Sequence, residues 1–177
     1  MNMIFTIFAF VLFGALVLFH KNLVVNSVTL AAQNEMSLAA IAAGQSVIDE
    51  SKTKAFDNNT RDRASVSDSS GLSSTMGPDS ASEYGGSVPS PDTISLAGFK
   101  SSTNFDDVDD YNGYTRLVKL SPSGGDVASL SVRVEYVESA NPDLTVASGK
   151  SYCKRMTVTI ANKYLPGNYA LSYVFTY

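Results

Sequence analysis

The 177 residues include one cysteine, one histidine and no tryptophan. A lone cysteine excludes an internal disulfide, a lone histidine excludes a histidine-based metal cluster, and the missing tryptophan removes the commonest sugar-stacking platform. Charge is scarce as well. Only 17% of residues are charged, and 13 Lys plus Arg stand against 17 Asp plus Glu, for a net charge of -4. Nucleic acid is therefore not expected as a partner, because a nucleic-acid surface needs clustered cations to displace counterions. No nucleophile with its base, metal triad or phosphate loop can be assembled from what is left, so no enzymatic activity is expected. The length fits one compact domain with appendages.

What the chain does have is a long apolar start. From Met3 to Phe19 the only polar residue is Thr6, and a helix of this length spans roughly 26 Å, close to the thickness of a bilayer core. The Phe, Ile, Leu and Val side chains of this stretch favour insertion by about 4 to 7 kcal/mol in total. A cleaved secretory signal would carry a basic stretch before a shorter apolar run and a small-x-small site after it. Here the run opens Met1-Asn2-Met3 and closes Phe19-His20-Lys21, and the nearest small pair is Ala31-Ala32. A retained helix over 1–22 is the expectation. His20 reads as an interfacial residue beside Lys21, which by itself favours placing that flank on the cytoplasmic side.

The pattern then continues as helix. Residues 23–56 contain no proline and one glycine, Gly44, with apolar residues at Val24, Val28, Ala31, Leu38, Ile41, Ala42 and Ile48, mostly three or four apart. The run Ser37-Leu38-Ala39-Ala40-Ile41-Ala42-Ala43 combines high helix propensity with small side chains, so a sheet or another helix could approach one face closely. Residues 57–93 differ sharply. Rich in Ser, Gly and Pro, with two arginines against six acids, they read as an irregular exposed connecting loop. Asn58-Asn59-Thr60 fits the glycosylation acceptor pattern within it.

Beyond Thr93 the period becomes two. Leu130, Val132, Val134 and Tyr136 alternate with Ser131, Arg133 and Glu135; Met156, Val158 and Ile160 alternate with threonines; Leu171, Tyr173, Phe175 and Tyr177 alternate with Ser172, Val174 and Thr176. Shorter strands are expected at 93–99 and 115–120, with turn chemistry at Ser121-Pro122-Ser123-Gly124-Gly125, Asn141-Pro142-Asp143 and Leu165-Pro166-Gly167-Asn168. An antiparallel sheet of four to five strands needs a cover, and the amphipathic helix is the cover available. The expected class is α+β, a long N-terminal helix packed on an antiparallel sheet that forms a head domain over 94–177.

The single constellation suggestive of site chemistry is Phe105-Asp106-Asp107-Val108-Asp109-Asp110-Tyr111-Asn112-Gly113-Tyr114. Four clustered aspartates repel unless a cation, a basic residue or a tight turn engages their oxygens, which makes Ca²⁺ a candidate ligand for Asp106, Asp107, Asp109, Asp110 and Asn112. The spacing is not that of an EF-hand, because aligning Gly113 with the sixth loop position puts Val108 first and Lys119 twelfth. The competing expectation is a turn in which Asp and Asn side chains cap backbone amides, Gly113 takes positive φ, and Arg116 or Arg155 neutralises a carboxylate. Cys153 reads as a small buried hydrophobe, and Ser151-x-x-Lys154 lies in a strand rather than at the helix start where such a motif works.

The plan of apolar rod, variable loop and antiparallel sheet resembles the type IV pilin superfamily of pilins, minor pilins and pseudopilins. The acidic run above and Lys154-Arg155-Met156-Thr157-Val158-Thr159-Ile160 are similar to motifs of the D-type minor pilins of mannose-sensitive haemagglutinin pili. The family usually shows a basic leader ending in Gly and a glutamate soon after it; here no acid precedes Glu35, so conventional leader processing is not expected. The resemblance implies a structural subunit anchored in the inner membrane, with its head outside the cytoplasm, that polymerises with copies of itself or other pilin-like subunits. Phe5, Phe8, Ala9, Leu12, Gly14, Ala15, Leu16 and Phe19 would then pack in the filament core, the small residues permitting close helix approach. The alternative is a monomeric membrane-anchored domain that holds an ion, glycan or protein through its acidic loop or its tyrosines.

Overall fold

The computed structural model describes residues 2–63, 65–80, 83, 104–120, 127–143 and 145–177. One helix, α1 (Asn2–Ser51), runs unbroken for 50 residues, about 75 Å at the helical rise. Four strands follow: β1 (Thr115–Lys119), β2 (Val127–Tyr136), β3 (Cys153–Ala161) and β4 (Tyr169–Thr176), paired antiparallel in the order β1-β2-β3-β4. The fold is α+β, as the alternating patterns imply. The strand expected at 93–99 lies outside the described residues.

α1 stops earlier than its periodicity suggests. The expected continuation to 56 is replaced by a tightened last turn, in which Thr53 N donates to Glu50 O and Lys54 N to Ser51 O. Ala55 is then extended, pairing in parallel with Asp107: its N–H donates to Asp106 O at 3.1 Å, and Val108 N donates back to Ala55 O at 3.0 Å. A residue whose amide and carbonyl both serve another segment cannot also continue a helical ladder.

The register places the apolar alternation on one face. Leu130 is opposite Ile160, Val132 opposite Val158, and Val134 opposite Met156, with Met156 and Val158 facing Tyr173 and Leu171 of β4. The inward side chains of β2 and β3 are buried, and Ala40, Val47 and Ile48 of α1 cover them. Burying each large apolar side chain contributes roughly 1.5–3 kcal/mol. Along β4 the inward set is Tyr169, Leu171 and Phe175, partly buried against the core, whereas Tyr173 is exposed. A second wall comes from Phe105, Tyr111 and Tyr114, which meet edge to face with centroids 4.9 to 6.2 Å apart. Tyr111 OH donates to Glu50 Oε1 at 2.8 Å, tying this wall to α1.

The segment after α1 is less exposed than its composition suggests. Within the described part of 57–93, Asp57 and Leu72 are buried, and short 3-10 turns form at Asn58–Arg63 and Ser69–Gly71. Polar composition fails as a guide here because Asp57 is matched by partners from distant parts of the chain.

Candidate functional site

Two features stand out: a bare stalk and a buried charge cluster. Every described side chain of α1 from Met3 to Ala32 is exposed. Phe5, Phe8, Leu12, Leu16 and Phe19 project from it, exposed among the described residues, and around Ala9, Gly14 and Ala15 the surface is lower; a Cβ on Gly14 would meet nothing within 4 Å. The helix is long and apolar enough to cross a membrane. Its greasy surface does not end at Lys21. Leu23, Val24, Val25, Val28 and Leu30 are exposed too, and the head begins to cover the helix at about Met36, where Tyr169 OH donates to Ser37 Oγ.

The cluster is centred on Lys154. In β3 it occupies the same parity as Met156, Val158 and Ile160, so the pleat that buries those residues also carries its amine inward. Its Nζ donates to Asp109 Oδ1 at 2.6 Å, Asp57 Oδ2 at 2.8 Å and Phe56 O at 2.8 Å. The rings of Phe56 and Tyr136 flank it, with centroids at 4.6 and 5.3 Å. Lys154 and Asp57 have no solvent exposure and Asp109 has 1%. Asp57 also accepts from Ser73 N, Ser73 Oγ and Asn59 N, while Tyr136 OH reaches Asp57 Oδ2 and Ser73 O. Burial opposes the Asp57 charge, but the Lys154 ammonium and these amides outweigh it and hold its pKa below the ordinary value.

The aspartate run caps its own turn. Asp110 Oδ2 accepts from Asp106 N and Asp107 N, and Asp107 Oδ1 accepts from Asp110 N. Gly113 adopts φ of 78°, the left-handed conformation that glycine takes without a Cβ penalty, and Asn112 Oδ1 accepts from Val134 N. The amide-capping turn expected from sequence is present, but its cations differ. Lys154 engages Asp109 and Arg61 engages Asp106. Arg116 instead donates to Ser46 Oγ, and Arg155 pairs with Glu135 at 2.6 Å. Burial, then repulsion from Asp109 and Asp110, pushes Asp107 up to about 9; burial also raises Asp109 despite Lys154.

Of the five candidate Ca²⁺ donors, Asp106 is thus held by Arg61, Asp107 and Asp110 by backbone amides, Asp109 by Lys154, and Asn112 by β2. No group of three acid, histidine or cysteine side chains able to hold a metal ion is found among the described residues. Cys153 is buried, as expected, with Sγ 3.5 Å from Ser139 Oγ. Sequence reasoning missed Asp57, Tyr136 and the central role of Lys154. The signal for Lys154 was its place two residues before Met156, on the apolar parity.

No protein-family model, curated protein or solved structure matches the chain.

Proposed function

We propose that the protein is a structural subunit of a pilin-like or pseudopilin-like filament, held in a membrane by α1 and polymerising through it with copies of itself or similar subunits. The observation that supports this most is the length of uncovered apolar helix. A bilayer core occupies about 20 helical residues, yet the uncovered stretch from Met3 to Ala32 is roughly 45 Å long. An anchor alone accounts for the part before Lys21. The collar from Leu23 to Leu30 lies beyond it, and in a bundle of such rods neighbouring helices would remove that surface from water. In the bilayer itself, close packing rather than the hydrophobic effect would drive the rods together.

Electron microscopy of surface-sheared material tests the proposal, with uniform thin filaments as the expected result. Val28→Glu is the sharper variant, because it spares the membrane segment: membrane insertion should persist while filament yield collapses. Normal filaments from that variant would sink the reading.

A second reading, a monomeric membrane-anchored binding domain, draws on an open groove of ≈ 440 Å³ bordered by Met76, Asn112, Arg133, Glu135, Tyr136 and Lys150. Recovery of detergent-solubilised monomers alone would favour it.

A further inference from the structure

The two carboxyls beside Lys154 are not equivalent. Asp57 is saturated by the amides of Ser73 and Asn59 and by hydroxyls of Ser73 and Tyr136. Asp109 gives one oxygen to Lys154, and the carboxyl of Asp107 lies beside it. The Oδ2 atoms of Asp107 and Asp109 are buried and meet no amide, hydroxyl or ammonium donor among the described residues. Two neighbouring carboxyls, each 1% exposed and each with a buried oxygen that no donor meets, cannot both hold a charge, so one of the pair is an acid. A primary amine, a carboxyl at 2.6 Å and a neighbouring acid therefore stand together in a dry pocket walled by Phe56 and Tyr136.

We propose that Lys154 and Asp109 condense into an intramolecular amide, with Asp107 as the proton-transfer group. Asp57 accepts one proton from the Lys154 ammonium. The freed lone pair of Nζ attacks Cγ of Asp109 as Asp107 protonates Asp109 Oδ2, and the C–N bond forms. A second proton leaves the nitrogen through Asp107 for the departing hydroxyl, the C–O bond breaks, and water is released. The amide nitrogen keeps one hydrogen, and the Asp57–Asp107 pair ends with the single proton it began with. No oxidant or cofactor is needed. Fixed proximity replaces a bimolecular encounter, acid catalysis at the leaving oxygen lowers the barrier, and the product removes one charge of each sign from a buried site where both are costly. The bond joins the turn before β1 to the start of β3.

Mass spectrometry of the full chain, purified in detergent and denatured, reads the outcome directly. The wild-type chain should be lighter than its sequence by one water, and a protease digest should yield a branched peptide containing Asp109 and Lys154, whatever the state of the N-terminus. Lys154→Arg and Asp109→Ala should restore the full mass. Asp107→Asn keeps both reacting groups and should leave most chains uncondensed. Unbranched Lys154 and Asp109 peptides from the folded wild type would overturn the proposal, as would a water loss that survives Lys154→Arg. Undiminished condensation in Asp107→Asn would overturn the role given to Asp107.

Discussion

Gly44 of α1 comes so close to Ile160 of β3 that a Cβ on the glycine would lie 2.8 Å from Ile160 Cδ1, and 3.0 Å from Leu171 Cδ1 of β4. This is where the rod meets the sheet. Gly44→Leu should destabilise the head by about 1–3 kcal/mol, the usual cost of overpacking. Gly44→Ala should stay near wild type, because both neighbours are side-chain tips that can yield and alanine recovers about 0.8–1.0 kcal/mol of helix propensity. Thermal melts of the two variants check this, and equal melting would mean that the contact is loose.

Until it condenses, Lys154 balances two buried carboxyls. In the Asp107→Asn chain, where Lys154 keeps its ammonium, adding Lys154→Met should cost roughly 3–5 kcal/mol, because Asp57 and Asp109 would be left as buried charges without their cation. Adding Asp57→Asn and Asp109→Asn as well should recover part of the loss. Urea denaturation of these chains measures the difference; if the two asparagines bring no gain, the charges are not the source of the cost.

Asp110 gives the head a pH dependence of definite sign. Burial, reinforced by Glu83 and Asp106 and opposed by the amides of Asp106 and Asp107, pushes its pKa from 3.8 up to about 6. The folded chain then binds more protons than the unfolded chain in that window, so this group's contribution is complete below 3.8 and is lost as pH rises through about 6. Asp110→Asn keeps an oxygen for the two amides and cannot ionise. Its melting temperature should fall less than that of wild type across this window, and parallel profiles would refute the assignment.

Phe8→Asp should block insertion or assembly, since a charge at the centre of a membrane helix costs about 2.5–3.5 kcal/mol. Comparing membrane-bound protein and filament yield with wild type checks this, and unchanged amounts of both would count against a membrane role for α1.

The sheet was legible because its strands alternate cleanly: Leu130, Val132 and Val134 point one way and their neighbours the other, and the pairing of Val132 with Val158 follows from matching those faces. The long helix was legible from the absence of proline. Its end at Ser51 was not, since Ala55 is recruited by Asp107, a partner far along the chain that no local pattern reveals. The turn at 105–113 could be read from its Asp, Asn and Gly residues, but not its cations. Arg116 and Arg155 were nearer in sequence or more typical as partners, yet the pleat turns Lys154 inward. Asp57 looked like part of a solvated loop because its partners, Lys154 and Tyr136, sit in two strands formed much later in the chain.

α1 packs chiefly on β3 and β4, strands that leave the ribosome long after it. At ordinary synthesis rates Gly44 emerges on the order of ten seconds before Leu171. Until β2 and β3 emerge, Ala40, Val47 and Ile48 have no strands to shelter them, and the cover stays incomplete until β4 follows, so a newborn chain must keep its rod from sticking to other nascent proteins for most of that interval. Early capture of the preceding apolar turns by a bilayer would tether the chain and leave only this short patch to guard.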